Sequence, residues 1–177
     1  SLIIEEGTPF FEAYGNGRGD GILPDEDAER EMYHRTREFL KDRGYERYEI
    51  SNYAKKGYAC RHNLGYWERA EYLGIGRGAS SLMDNQRWIQ GEDKEEIDRQ
   101  GQMEEFMFLG LRKTKGISKK EFIERFDCSM DSVYGKPLIE SMKQGMMKEE
   151  GDRVFLTQDG TLVSNQVLCE FLFDEEV

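Results

Sequence analysis

Arg61-His62-Asn63-Leu64-Gly65-Tyr66-Trp67 gathers an imidazole, an amide, a phenol and an indole within seven residues. The chain has only two histidines, and His62 is one of them. A neutral imidazole is a good ligand for haem iron, and flat aromatic rings suit the face of a planar macrocycle. The same residues also suit a hydrogen-bonded histidine in an aromatic corner of a core. Residue types alone leave both readings open. A second stretch, Tyr72-Leu73-Gly74-Ile75-Gly76-Arg77-Gly78-Ala79-Ser80-Ser81-Leu82, sets glycines at alternate positions 74, 76 and 78. On a strand these fall on one face and bare the backbone to a ligand, or to a closely packed helix. The spacing is not that of a dinucleotide-binding loop.

These residues need elements to carry them. Ser1-Leu2-Ile3-Ile4-Glu5 is a short apolar run closed by Gly7-Thr8-Pro9, which reads as a buried strand of a parallel sheet. A domain rarely opens on such a strand, so the chain reads as a piece from the interior of a longer protein. Four glycines between positions 15 and 21 mark a loop; it lacks the lysine of a phosphate-binding loop. Pro24-Asp25-Glu26-Asp27 starts a helix that runs to about 43 and stops at Gly44, with Met32, Phe39 and Leu40 on its apolar side and His34 among charges. Residues 45–53 read as a second strand, which gives a strand–helix–strand order and parallel pairing. His62 then falls in a loop or short helical turn, 72–82 in a strand, and 87–90 in an edge strand.

Residues 91–101 are a charged connector, where the domain boundary is placed. Beyond it come an amphipathic helix over 102–113 and a helix capped by Ser118 with Glu121 three residues on. A third helix follows over 131–143, then a hairpin turning at Gly151-Asp152 and a last helix over 157–173. Three helices, a hairpin and a helix make the layout of a winged-helix module.

Bulk properties narrow the function. The chain has 177 residues, 34% charged and 37% apolar, and a net charge of −11. Residues 101–177 hold ten basic and fifteen acidic side chains. Such a surface repels the phosphate backbone, so the winged-helix layout reads as an interaction module rather than a nucleic-acid binder. No apolar run approaches the ~18–20 residues that span a bilayer, and no secretory signal is recognisable. Cys60, Cys128 and Cys169 are odd in number and widely spaced, as in a reducing, cytoplasmic compartment.

Four segments in order carry a resemblance. They are Leu2-Ile3-Ile4-Glu5-Glu6-Gly7-Thr8-Pro9, Tyr48-Glu49-Ile50-Ser51-Asn52-Tyr53-Ala54, Cys60-Arg61-His62-Asn63-Leu64-Gly65-Tyr66-Trp67 and Tyr72-Leu73-Gly74-Ile75-Gly76-Arg77-Gly78-Ala79. With them the chain resembles, over nearly its whole length, the radical S-adenosylmethionine proteins related to oxygen-independent coproporphyrinogen III oxidase. The His-Asn-x-x-Tyr-Trp pattern is associated with the haem-chaperone branch of that family.

The resemblance implies an α+β fold: a fragment of a partial (β/α) barrel over 1–100, followed by a winged-helix-like domain over 101–177. It implies a 4Fe–4S cluster bound through three closely spaced cysteines, which this chain lacks, with S-adenosylmethionine on the open iron. Ile3 and Ser80 then fall at the S-adenosylmethionine pocket, and Gly74, Gly76 and Gly78 let the backbone approach it. Many relatives have histidine where this chain has Ser80, so any role of that imidazole is lost here. Haem is the implied cargo, with His62 at the iron, Tyr66 and Trp67 against the macrocycle, and Asn63 orienting the imidazole or meeting a propionate. Haem-accepting proteins are the implied partners. The alternative is oxidative decarboxylation of a porphyrinogen propionate, for which this chain without the cysteines supplies no catalytic residue.

Overall fold

The computed structural model describes residues 4–19 and 21–173. The chain divides into two compact units, residues 1–46 and 47–177. The expected first strand and Ile3 lie outside the described residues over 1–3, and Ile4 and Glu5 are in no strand. A short helix stands next instead, α1 (Pro9–Tyr14). Its cause is local: the Thr8 hydroxyl accepts the Phe11 N–H at 3.1 Å, and Pro9 fits the first turn, where its missing donor is not needed. Helix α2 (Glu26–Lys41) begins and ends where the sequence places it. Asp25 accepts the Ala28 N–H at 2.8 Å, and Gly44 takes φ 79° beyond the last turn. Within its unit α2 buries no side chain; Met32 and Phe39 are exposed, with Arg43 stacked over the Phe39 ring.

The expected strand over 45–53 is two short strands, β1 (Tyr45–Arg47) and β2 (Tyr53–Lys55). Between them the Tyr48 N–H donates to the Asn52 carbonyl at 3.1 Å, which turns the chain back. The segment that follows β1 pairs elsewhere: Ile50 N–H donates to the Arg112 carbonyl, and Thr114 N–H to the Tyr48 carbonyl. Helix α3 (Arg61–Trp67) carries the His62 motif.

The glycine stretch is not one strand. Tyr72 bridges back to Leu82, so residues 73–79 form a closed loop, and the strand proper is β3 (Ser80–Met83). Gly76 and Gly78 have φ of 110° and 73°, turn conformations that favour glycine. An added Cβ at Gly74 would stand 2.2 Å from the Ser80 carbonyl oxygen, so that glycine answers to the chain's own backbone. A tight turn at Asp84-Asn85, both residues left-handed, leads into β4 (Gln86–Ile89). This strand was expected at an edge; it is central, because β5 (Glu95–Glu96) pairs on its other side.

The remaining elements build the main core. Helix α4 (Arg99–Gly110) starts at its Asp98 cap; strand β6 (Ile117–Ser118) and α5 (Lys119–Phe126) follow, then α6 (Met130–Lys143). Strands β7 (Met147–Glu150) and β8 (Arg153–Leu156) form the expected hairpin, and β6 joins it in the order β6-β8-β7. Helices α4–α6 pack against it around Met107, Phe122, Met130, Leu138 and Val154, in the expected order of three helices and a hairpin. Pro137 lies inside α6, and the non-helical turn at Tyr134 is where the helix kinks to accommodate it.

The last helix breaks at Val163 into α7 (Gln158–Leu162) and α8 (Ser164–Cys169). Gly160, Thr161, Val163 and Ser164 are weak helix formers, which explains the break. Phe171 after α8 is fully buried, while Leu172 is about half exposed.

Asp152 in the hairpin turn gives α5 a second cap. Its carboxylate accepts the Ser118 hydroxyl and the Lys120 N–H, and these two donors hold it below the usual carboxylate range. Because the folded-state pKa is lowered, this contribution is complete above the ordinary value of about 4 and disappears as pH falls through the lowered one. Asp152→Asn should therefore lower the urea midpoint at pH 7. The gap to the parent protein should close as titration proceeds below about pH 4; a pH-independent gap would contradict this role.

Candidate functional site

Helical spacing divides the His62 motif into two faces. His62 and Tyr66 are four residues apart and share one face; Asn63 and Trp67 share the next. His62 is exposed, and Tyr66 remains 37% exposed. Their rings meet edge to face at 4.8 Å between centroids, and Tyr66 meets Tyr72 at 4.8 Å in the same manner. The result is a ladder of three rings, His62, Tyr66 and Tyr72, ending at the apolar loop where Leu73 and Ile75 stand 63% and 90% exposed. Edge-to-face contacts are the favourable arrangement for such rings.

The second face turns inward. The Asn63 amide donates to the Tyr48 hydroxyl at 3.3 Å, and Trp67 lies under the Arg112 guanidinium at 4.5 Å. The Trp67 indole nitrogen is buried and finds no acceptor. The structure thus brings His62 and Tyr66 onto an open surface and turns Asn63 and Trp67 toward the body of the unit.

Tyr72 is the ring that sequence reasoning did not single out. Its only signal was its place immediately before the glycine turn, which returns it to α3.

The candidate S-adenosylmethionine contacts are placed differently. Ile3 lies outside the described residues. Ser80 is exposed at the start of β3, while its neighbour Ser81 is fully buried and accepts the Gly74 N–H at 3.0 Å. Gly76 and Gly78 face open space. Among the described residues, no group of three His, Cys, Asp or Glu could hold a metal ion, and the three cysteines are free. The chain's own residues do not fit a 4Fe–4S cluster.

Beneath the ladder lies a buried ion cluster that the sequence did not reveal. Arg69, just past α3, donates through Nε to Glu105 on α4 and through Nη1 to Asn85 at 2.9 Å. Glu105 also accepts from Arg87 at 2.5 Å. Arg69 and Glu105 are nearly inaccessible, with side chains 6% and 8% exposed.

Comparisons with known proteins place this arrangement. Residues 97–163 match the family described as the HemN C-terminal domain. The chain is 35% identical over 189 residues to "Heme chaperone HemW" of Bacillus subtilis strain 168, covering 97% of this chain and 49% of that protein. It is 33% identical over 190 residues to the protein of the same name from Lactococcus lactis, covering 99% and 50%. The chain belongs to the HemN–HemW family. Its fold is similar to that of coproporphyrinogen III oxidase (HemN) from Escherichia coli, a radical SAM enzyme, with a TM-score of 0.69 and 15% identity. That likeness covers 93% of this chain and 45% of HemN. The fold is α+β and similar to HemN over the part covered, and the chain spans about half the length of the curated relatives it matches. Among the described residues no helix is long and apolar enough to cross a membrane.

Proposed function

We propose that this chain is the haem-handling part of a haem chaperone of the HemW type, which binds haem and passes it to acceptor proteins. The observation that carries the reading is the ladder of His62, Tyr66 and Tyr72. An exposed imidazole backed by an aromatic ring presents a nitrogen lone pair to iron. In this reading His62 is an iron ligand, Tyr66 and Tyr72 meet the macrocycle, and Leu73 and Ile75 extend the apolar surface. Asn63 and Trp67 act on haem through α3, which they fasten to Tyr48 and Arg112. The identity with HemW proteins over nearly the whole chain supports the same reading.

The proposal includes the 1–100 and 101–177 division as barrel-derived and C-terminal parts. It also includes a cytoplasmic location, which free cysteines accord with. S-adenosylmethionine contact at Ile3, Gly74, Gly76, Gly78 and Ser80 belongs to the same proposal and follows from the family resemblance. The fold likeness to HemN keeps oxidative decarboxylation of a porphyrinogen as the second reading. Titration with haemin separates the two: a saturable Soret change at one haem per chain supports the chaperone. Consumption of coproporphyrinogen by the full-length protein with its cluster in place, without haem retention, favours the oxidase.

A further inference from the structure

Helix α3 does not hold itself in place. It is seven residues long, buries no side chain, and its cap Cys60 makes no side-chain capping bond. Isolated helices shorter than about 12–15 residues are marginal in water. Asn63 and Trp67 tie α3 to Tyr48 and Arg112, and a buried ionic hold lies beyond its C-terminal end. Arg69 takes a left-handed φ of 54°, which aims its guanidinium inward at Glu105 and Asn85. The second Glu105 oxygen accepts from Arg87, which stands opposite Leu82 in the β3–β4 pairing, and Leu82 is bridged to Tyr72. One carboxylate on α4 therefore holds both ends of the ring ladder. Through Arg69 it fixes the helix of His62 and Tyr66; through Arg87 it reaches Tyr72.

Stability alone gives a poor account of this cluster. Taking ions out of water is costly, and well-packed apolar side chains commonly serve as well. Arg69 even leaves its Nη2 buried without a partner. What a carboxylate between two guanidinium forks supplies is fixed direction.

We propose that Glu105 is a positioning residue for haem binding, and that the C-terminal domain carrying it is the platform that sets α3 and its ring ladder. This rests on the haem-chaperone reading. The role is in positioning, because Glu105 acts only through Arg69 and Arg87.

The test uses Glu105→Gln, Glu105→Ala and the double variant Arg69→Met with Glu105→Met, each read by hydrogen exchange without haem and by haemin titration. In the folded variants, amides 60–70 are expected to exchange faster while those of α5 and α6 do not change. Haemin affinity should fall roughly tenfold, the lower end for partners that orient a metal ligand. The Soret maximum should stay at the parent wavelength, because His62 is untouched. A merely structural role would be restored by the apolar pair; on this proposal the pair stays folded and the affinity stays low. Should Glu105→Ala fail to fold, Glu105→Gln and the apolar pair carry the test. Unchanged haemin affinity in the folded variants overturns the proposal. If the parent protein binds no haem, the chaperone reading falls by itself. Unchanged exchange over 60–70 would then also reject Glu105 as what sets α3.

Discussion

Phe122→Ala is expected to destabilise the larger unit by about 3–5 kcal/mol, the usual cost of deleting a buried phenyl ring and leaving its space unfilled. Phe122 is fully buried on α5. Its ring meets Phe106 of α4 at 5.4 Å, Phe126 at 4.7 Å and Tyr134 of α6 at 6.1 Å, so the cavity would open where three helices converge. These neighbours lie on separate elements that hydrogen bonds and the β6-β8-β7 sheet hold in place, and they cannot close the gap together. Urea unfolding of the variant checks this, with a lower midpoint and an unchanged slope expected. A loss under about 1 kcal/mol would mean that the site collapses freely, against this description of the core.

Gly116→Ala is expected to be comparably harmful for a different reason. Gly116 sits between α4 and β6 with φ 61°, a conformation that alanine adopts only with strain. A Cβ there would also stand 2.0 Å from the Val154 carbonyl oxygen and 2.6 Å from the Phe155 Cβ. Both belong to β8, the central strand of the sheet, so backbone must move and the β6–β8 pairing must open. Strain and displacement together should cost about 3 kcal/mol or more. Exchange at Ile117 and Ser118 should rise ahead of global unfolding. A near-neutral variant with the β6 amides still protected would contradict the close approach. Gly151→Ala makes the control: its φ is also positive, but no atom lies within 4 Å of an added Cβ, so only the strain remains.

The C-terminal part was largely legible because its signals are local. Ser118 three residues before Glu121 announced α5, and the turn at Gly151-Asp152 announced the hairpin of β7 and β8. The region around the candidate site was harder. Glycines at 74, 76 and 78 have the period of a strand face, yet Gly76 and Gly78 serve positive-φ turn positions that produce the same spacing. Without that turn, Tyr72 could not be seen as a neighbour of Tyr66.

The residue types of the His62 motif were plain, but which of them face out depends on α3 being helical. Trp67, expected against the macrocycle, turns inward under Arg112 instead. Glu105 read as an ordinary charge on an amphipathic helix. Its two arginines come from 36 and 18 residues away, and pairs that distant leave no pattern in one sequence. The first strand and Ile3 fall outside the described residues.

In the proposed function His62 presents its imidazole to haem iron. Haemin titration of the parent protein and of His62→Ala, followed through the Soret band, tests it most directly. His62 is exposed and its loss removes no buried contact, so the variant should fold as the parent does. A saturable Soret shift is expected in the parent protein, and in His62→Ala a displaced maximum with affinity weakened by at least about tenfold. An identical Soret spectrum and equal affinity in the two proteins would contradict it.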